Sequence, residues 1–272
     1  MRQFVVLFAL ALASASANLI PQPGFPEGRI INGYEAQKGE APYIVSLQTT
    51  SKSHFCAGSL ISSRTCLTAG HCLLSYTDGL IVAGAHSRLS HDNVQSRKFD
   101  RSQFVVHEEY SGGVGPNDIG LIRLSKEDAF DLNAVARDGT NPVGVVSLPP
   151  YTFEGTGDGY LYGWGRDNSG SLPTNLQTLK VDIIGEKACN AAMPVTAQVA
   201  TCNVCTYTAG TTDGACNGDS GGPVVKKTEN GAYLVGLVSW GMTPCASTFY
   251  PSVHTNIMYY ERWIEENRND NE

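Results

Sequence analysis

Short runs of β-forming residues recur along the whole chain between turn signals, and this constrains the fold more than any other feature of the sequence. Tyr43–Leu47, Leu80–Val82, Phe104–Val106, Tyr160–Tyr162, Leu179–Ile183, Tyr233–Val238 and Pro251–His254 are such runs. Each is too short for a stable helix and is bounded by turn-forming residues, for which 29 glycines and 13 prolines are available. Spacing of this kind predicts an all-β sandwich or barrel. One stretch alone reads as helix: Asn256–Asn267 puts Ile257, Tyr260 and Ile264 at helical spacing, with Trp263 beside that face. With 272 residues, 42% of them hydrophobic, the chain can fill one large core or two small ones. The stretch from Asn141 to Pro150 is the expected linker between two halves.

The first residues have a different character. Met1-Arg2-Gln3 is followed by the apolar run Phe4–Ala13 and by the small residues Ala15-Ser16-Ala17, the pattern of a secretory signal peptide cut after Ala17. Residues 18–29 are rich in Pro and Gly, lack periodicity and read as a pro-segment. A secreted chain with eight cysteines implies disulfides. Cys202 and Cys205 have CxxC spacing, but no second close pair exists to complete a zinc site, so neither metal nor cofactor is expected. The net charge of -7 argues against a nucleic-acid partner. No Asn-x-Ser/Thr sequon occurs, so no N-glycan is expected.

Three segments carry residues suited to nucleophilic catalysis: Leu67-Thr-Ala-Gly-His71-Cys72, Asn117-Asp118-Ile-Gly-Leu-Ile122 and Gly214-Ala-Cys-Asn-Gly-Asp-Ser220-Gly-Gly-Pro223. Each alone is ambiguous, because a lone histidine is usually structural and Gly-rich stretches are usually turns. Together, in this order, they resemble the chymotrypsin family of serine endopeptidases, and the resemblance runs from Ile30 to the C-terminus. Gly163-Trp-Gly165 and Ser239-Trp-Gly241 add to it. The chain as a whole resembles the insect digestive members, including the proteolytic lectins of tsetse. Gly70 departs from the pattern, since the family usually has alanine there.

The resemblance implies two six-stranded antiparallel β-barrels with a C-terminal helix, in a peptidase domain of residues 30–272 whose barrels divide near residues 144 and 145. It implies His71, Asp118 and Ser220 as the catalytic triad, an oxyanion hole from the backbone N–H groups of Gly218 and Ser220, and activation by a trypsin-like protease between Arg29 and Ile30. The new Ile30 amine would pair with Asp219. It also implies the bridges Cys56–Cys72, Cys189–Cys205 and Cys216–Cys245. Cys66 and Cys202 are left over; Cys66 reads as a buried small hydrophobe, and Cys202 as free or as a competitor of Cys205 for Cys189.

In this family the residue before the scissile bond, P1, enters a pocket whose base lies six residues before the nucleophile, which here is Gly214. Trypsin-like members have aspartate there. Gly214, with Ser252 as second residue at the base and Gly241 leaving a wall open, favours large apolar P1 residues; Asp213, one position earlier, supports basic specificity only if the register slips. Ser239, Trp240 and Gly241 would pair with the substrate backbone as an added strand. The segment Ala83–Ser90 lacks carboxylates, so no calcium requirement is expected. His86, His91 and the remaining histidines are expected at the surface without partners. The resulting expectation is a monomeric, secreted, digestive zymogen acting on proteins or peptides, with no nucleic-acid or membrane partner. Two alternatives are a non-catalytic homologue and a carbohydrate-binding protein on the same fold; haemagglutination surviving Ser220→Ala would favour the latter.

Overall fold

The computed structural model describes residues 30–134, 142–245 and 249–268. The expected signal peptide, the pro-segment with Arg29, and Asn141 of the expected linker lie outside the described residues. No helix among the described residues is long and apolar enough to cross a membrane.

The strands are β1 Tyr34–Glu35, β2 Ile44–Gln48, β3 His54–Leu60, β4 Thr65–Thr68, β5 Asp78–Ala83, β6 Gln95–Asp100, β7 Phe104–Val106 and β8 Gly120–Arg123, then β9 Gly157–Gly163, β10 Gln177–Ile184, β11 Asn203–Thr206, β12 Pro223–Thr228, β13 Gly231–Trp240 and β14 Ser252–Asn256. Six of the second group close on themselves in the order β9-β10-β11-β14-β13-β12, with β12 pairing back to β9. The other sheet, β6-β5-β2-β3-β4-β8-β7, has seven strands and curls into a half-barrel. The fold is therefore all-β and chymotrypsin-like, with one closed barrel where the sequence reading expected two.

Alternation explains the barrel wall. On β10, Leu179, Val181 and Ile183 point inward and Lys180 and Asp182 outward, the period of two that a half-buried strand requires. The central strand β2 is buried along its whole length. The edge strand β6 is polar except for Phe99; its Arg97 guanidinium lies 5.1 Å over the Phe130 ring and donates to the carbonyls of Asp128 and Ala129. A charged edge of this kind discourages pairing with another sheet.

Three regions of core follow. Val45, Leu47, Leu60, Ile81 and Ile122 fill the half-barrel, and Leu161, Val181, Ile183, Val224 and Val235 fill the barrel. Between the sheets, Tyr43, Leu67, Ile119, Leu121, Tyr162, Trp164 and Leu237 form a shared layer. The chain crosses this seam early: β1 pairs with β10, and the Ile30 side chain is fully buried in the barrel core. It crosses again through 142–150, where Gly144 N donates to Pro42 O and Leu234 N to Ser147 O.

Helices are few. α1 (Gly70–Ser75) and α2 (Glu186–Ala192) are short, and each carries a half-cystine, Cys72 bonded to Cys56 and Cys189 to Cys205. Helices of this length are marginal alone, so their anchorage is tertiary. α3 spans Glu261–Asn267, beginning five residues later than periodicity predicts. The reason is that Ile257 N still donates to Val235 O, continuing the sheet, and the Asn256 side chain accepts from Met258 N in a turn. Ile257, Tyr260 and Ile264 are nonetheless all buried.

Candidate active site

His71 stands in the first turn of α1, directly after β4, on the seam between the sheets. A Cβ at Gly70 would lie 2.9 Å from the Tyr110 ring and 3.2 Å from Ile119 O. The glycine is thus what lets Tyr110 pack against the start of α1, and Tyr110 in turn donates its hydroxyl to Gly113 O at 2.8 Å. The sulfurs of Cys56 and Cys72 lie close to the imidazole, but they are bonded to each other and offer no thiolate to a metal.

Asp118 is buried and receives three hydrogen bonds on its carboxylate. His71 donates from its backbone N to Oδ1 and from Nδ1 to Oδ2, both at 2.8 Å, and Ser239 Oγ donates to Oδ2 at 2.6 Å. A carboxylate only accepts, so Nδ1 carries the proton and Nε2 is left with its lone pair. Burial pushes the Asp118 carboxyl up, but the hydrogen bonds from His71 and Ser239 and the electrostatic interaction with the His71 ring outweigh it and hold the group below its ordinary value. The backbone is pinned as well: Thr255 Oγ1 donates to Asp118 O at 2.6 Å. Asn117, in the left-handed region at φ 64°, is gripped from both sides by the Tyr260 hydroxyl, which accepts from Asn117 N and donates to Asn117 Oδ1.

Ser220 is carried by a loop that folds tightly over the segment leading into His71. Ser220 O accepts from Ala57 N at 2.8 Å. A Cβ on Gly221, at φ 73°, would fall 2.1 Å from Thr68 Oγ1 and 2.9 Å from Ala69 N, so only glycine permits this approach. Among the described residues no hydrogen bond links Ser220 Oγ to His71 Nε2; in unliganded sites this contact commonly tightens on binding. Gly218, at φ 104°, is fixed by His54, whose Nε2 lies 2.9 Å from Gly218 O while its Nδ1 lies 2.8 Å from Ser46 Oγ. Burial pushes the His54 imidazole down to about 4, so it is neutral, with the Nε2 proton donated to the carbonyl and Nδ1 accepting from Ser46.

Asp219 is fully buried beneath this loop. Its Oδ1 accepts from Gly165 N at 2.7 Å and its Oδ2 from Cys216 N at 2.9 Å. Side chains at Gly163 or Gly165 would overlap the carboxylate, which explains the Gly-Trp-Gly sequence there. Burial pushes the Asp219 carboxyl up to about 6. Nearby, Ile31 and Gly214 form an isolated antiparallel bridge with N···O distances of 3.1 and 3.4 Å.

Gly214, Ala215, Gly241, Met242, Tyr250 and Ser252 line one narrow crevice. Asp213 also lines it, its Oδ1 accepting from Asn32 Nδ2 at 2.8 Å. Ser239 and Trp240 end β13, and the Cys216–Cys245 bridge ties the crevice wall to the Ser220 loop. A separate cleft of about 440 Å³ opens beside them between Pro116, Ala197, Trp240 and Met242.

The structure joins all three expected cysteine pairs and leaves Cys66 and Cys202 free and buried. Burial raises the Cys66 thiol to about 12, as for an inert small hydrophobe. The expectation that the histidines outside the triad are partnerless surface residues is overturned. His54 and His254 are buried, His254 against Thr206 Oγ1 at 2.8 Å; His86 pairs with Glu35 at 2.9 Å, and His107 stacks on Trp263. Sequence reasoning missed His54, Tyr110 and Tyr260 because their partners are remote in sequence. Gly70, in place of the usual alanine, was the one local sign of a bulky neighbour.

The trypsin family profile matches residues 30–264. Among curated proteins the chain is 55% identical to "Lectizyme" of Glossina austeni, covering 97% of this chain and 96% of that protein. It is 33% identical to "Trypsin" of Sarcophaga bullata, over 97% and 98% of the two chains, and 31% identical to "Trypsin alpha" of Drosophila melanogaster, over 96% of each.

Proposed function

The chain belongs to the trypsin family of serine endopeptidases, and we propose that it is a secreted, digestive zymogen, activated at Arg29–Ile30, whose triad of His71, Asp118 and Ser220 cleaves after large apolar residues. The observation that carries the triad is the Asp118–His71 pair, which leaves His71 Nε2 as a base. In the reaction Ser220 Oγ bonds to the scissile carbonyl carbon as Nε2 takes its proton. The carbonyl oxygen becomes an oxyanion, held by the N–H groups of Gly218 and Ser220. Protonated His71 then gives that proton to the leaving amine, and the C–N bond breaks. Water, deprotonated by the same Nε2, releases the acid from Ser220.

Activation is supported by Asp219. In the uncleaved chain Ile30 N is a neutral amide, and the buried carboxylate has backbone donors but no cation among the described residues. Cleavage would create an ammonium at Ile30, whose side chain already occupies the barrel core. Specificity is supported by Gly214 and Ser252 at the crevice; Asp213 also lines it, but its Oδ1 is engaged by Asn32.

The test is to process the full chain with immobilised trypsin and measure kcat/KM on peptides with Phe, Tyr, Leu, Ala or Arg at P1. Bulky uncharged residues should lead, uncut chain should be nearly inert, and Ser220→Ala should abolish turnover. A dominant rate on P1-Arg would sink the specificity reading. Full activity of an Arg29→Gln chain would sink the activation reading.

A further inference from the structure

We infer that the Tyr151–Thr152 peptide bond is a self-cleavage site, cut by a second copy of the activated chain, and that the cut divides the triad between two fragments with no covalent tie. This rests on the P1 preference proposed above and carries it to a substrate within the chain itself.

The first observation is presentation. Tyr151 is 90% exposed, and the next aromatic side chains are Phe249 at 60% and Tyr259 at 58%. Val195 is equally open, but it is a smaller side chain and stands in a short 3₁₀ turn. A ring already in solvent leaves no hole in the core when it enters the site of another molecule. Exposed loops of this kind are where chains are preferentially nicked.

The second is the backbone. A substrate must lie extended to pair as an added strand. Ser147 O accepts from Leu234 N, and the Phe153 ring packs on Tyr233; between these anchors the chain forms neither strand nor helix. Among the described residues one backbone bond closes the stretch, Phe153 N to Pro150 O at 2.8 Å, with Tyr151 and Thr152 at the corner of the turn. Pro149 and Pro150 have no N–H to lose, and their fixed φ favours an extended run into Tyr151. That lowers the entropy lost on binding. Pro149 is buried, so a local opening of the loop precedes the cut.

The third is what the cut does. In the cutting copy, Ser220 takes the Tyr151 acyl group as Thr152 leaves with a free amine, and water then releases the Tyr151 carboxylate. Cys56–Cys72 lies before this bond, Cys189–Cys205 and Cys216–Cys245 lie after it, and Cys66 and Cys202 are free, so no disulfide joins the pieces. His71 and Asp118 stay on the fragment that ends at Tyr151, and Ser220 and Ser239 go with the other. The pieces are then held by the seam alone, through the β1–β10 pairing and the shared apolar layer. Their association becomes bimolecular, so the assembled site depends on concentration.

The experiment stores the activated chain alone and follows it by non-reducing gel electrophoresis and N-terminal sequencing. The first new N-terminus should be Thr152, the fragments should separate without reductant, and the fractional rate should rise with enzyme concentration. A processed Ser220→Ala chain should be nicked at the same bond once active enzyme is added. Tyr151→Asp, with unchanged initial activity, should stay intact about tenfold longer, since a carboxylate replaces the ring that P1 recognises. The urea midpoint of activity should fall on dilution for the nicked chain and stay constant for the intact one. A first cut elsewhere, or equal lifetimes of Tyr151→Asp and wild type, would overturn the cleavage site; a nicked chain whose midpoint ignores dilution would overturn the division of the triad. The blocked free peptide Leu-Pro-Pro-Tyr-Thr-Phe separates the two levels. Its cleavage after tyrosine beside a chain that stays whole would remove self-cleavage and leave the P1 preference standing, whereas a peptide left whole would remove that preference as well.

Discussion

At the scale of single residues, the site depends on a few buried groups whose charge is set by their neighbours. Ser239 is one lever. Its 2.6 Å bond to Asp118 Oδ2 helps keep that carboxyl ionised against the cost of burial. Ser239→Ala should lower kcat about tenfold, as expected for losing a hydrogen bond to a charged group. Asp118 has a lowered folded-state pKa, so its stabilisation is present above its unfolded value and is lost as pH falls through the folded one. The variant should therefore unfold at a higher pH on acidification, which tryptophan fluorescence can follow. Asp219 has the opposite sign. Its carboxyl is raised to about 6 from an ordinary 3.8, so the unfolded chain gives up this proton first as pH rises. The uncleaved Arg29→Gln chain should lose roughly 3 kcal/mol of stability between pH 4 and pH 6 from this group, and the cleaved chain much less, because Ile30 then supplies a cation. Urea midpoints of the two forms across that range would check it; parallel curves would contradict the Ile30–Asp219 pairing.

At the scale of elements, α1 is the piece that matters most and holds itself least. It has six residues, no side-chain cap and no charge in either terminal turn that would favour it. Its position comes from the Cys56–Cys72 bridge and from Tyr110 packed on Gly70. Replacing both cysteines by serine should cost about 3 kcal/mol, given the loop of sequence separation 16 that the bridge closes. It should also cost more activity than the Cys189–Cys205 double replacement, since α2 carries no catalytic group; kcat measured where both variants remain folded would tell them apart. The strands show where local reading succeeds. β10 and β13 were legible because their alternation or apolar runs are carried by their own residues. β6 was not, because Gln95-Ser-Arg-Lys-Phe-Asp100 is held by pairing to β5 and by one inward phenylalanine. The start of α3 was misplaced because Ile257 obeys a bond to Val235, outside the helix.

At the scale of the molecule, two sheets meet along an apolar seam, and His71, Asp118 and Ser220 are all delivered to it by different segments. His71 and Asp118 flank strands of the half-barrel, β4 and β8, while the Ser220 loop precedes β12 of the barrel. The identity of these residues was legible because short motifs carry them, whereas their support was not. His54 reaches Gly218 across 164 positions, and Asp118 reaches Ser239 across 121. Such contacts leave no local periodicity, so only the folded chain reveals them. The same holds for the floor of the proposed P1 crevice, where Gly214 and Ser252 compete for one volume although they lie far apart in sequence.

The bridge between Ile31 and Gly214 ties the start of the proposed mature chain to the floor of the proposed P1 crevice. Whatever seats one must then favour the other, and thermodynamic reciprocity makes the coupling run both ways. If cleavage at Arg29–Ile30 strengthens this seating as proposed, a small molecule that fills the crevice would hold more tightly to the processed chain than to its precursor. By the same free energy, it would draw intact precursor toward the processed arrangement before any bond is cut. A reversible inhibitor of this protease would thus also act as a conformational chaperone for its own target.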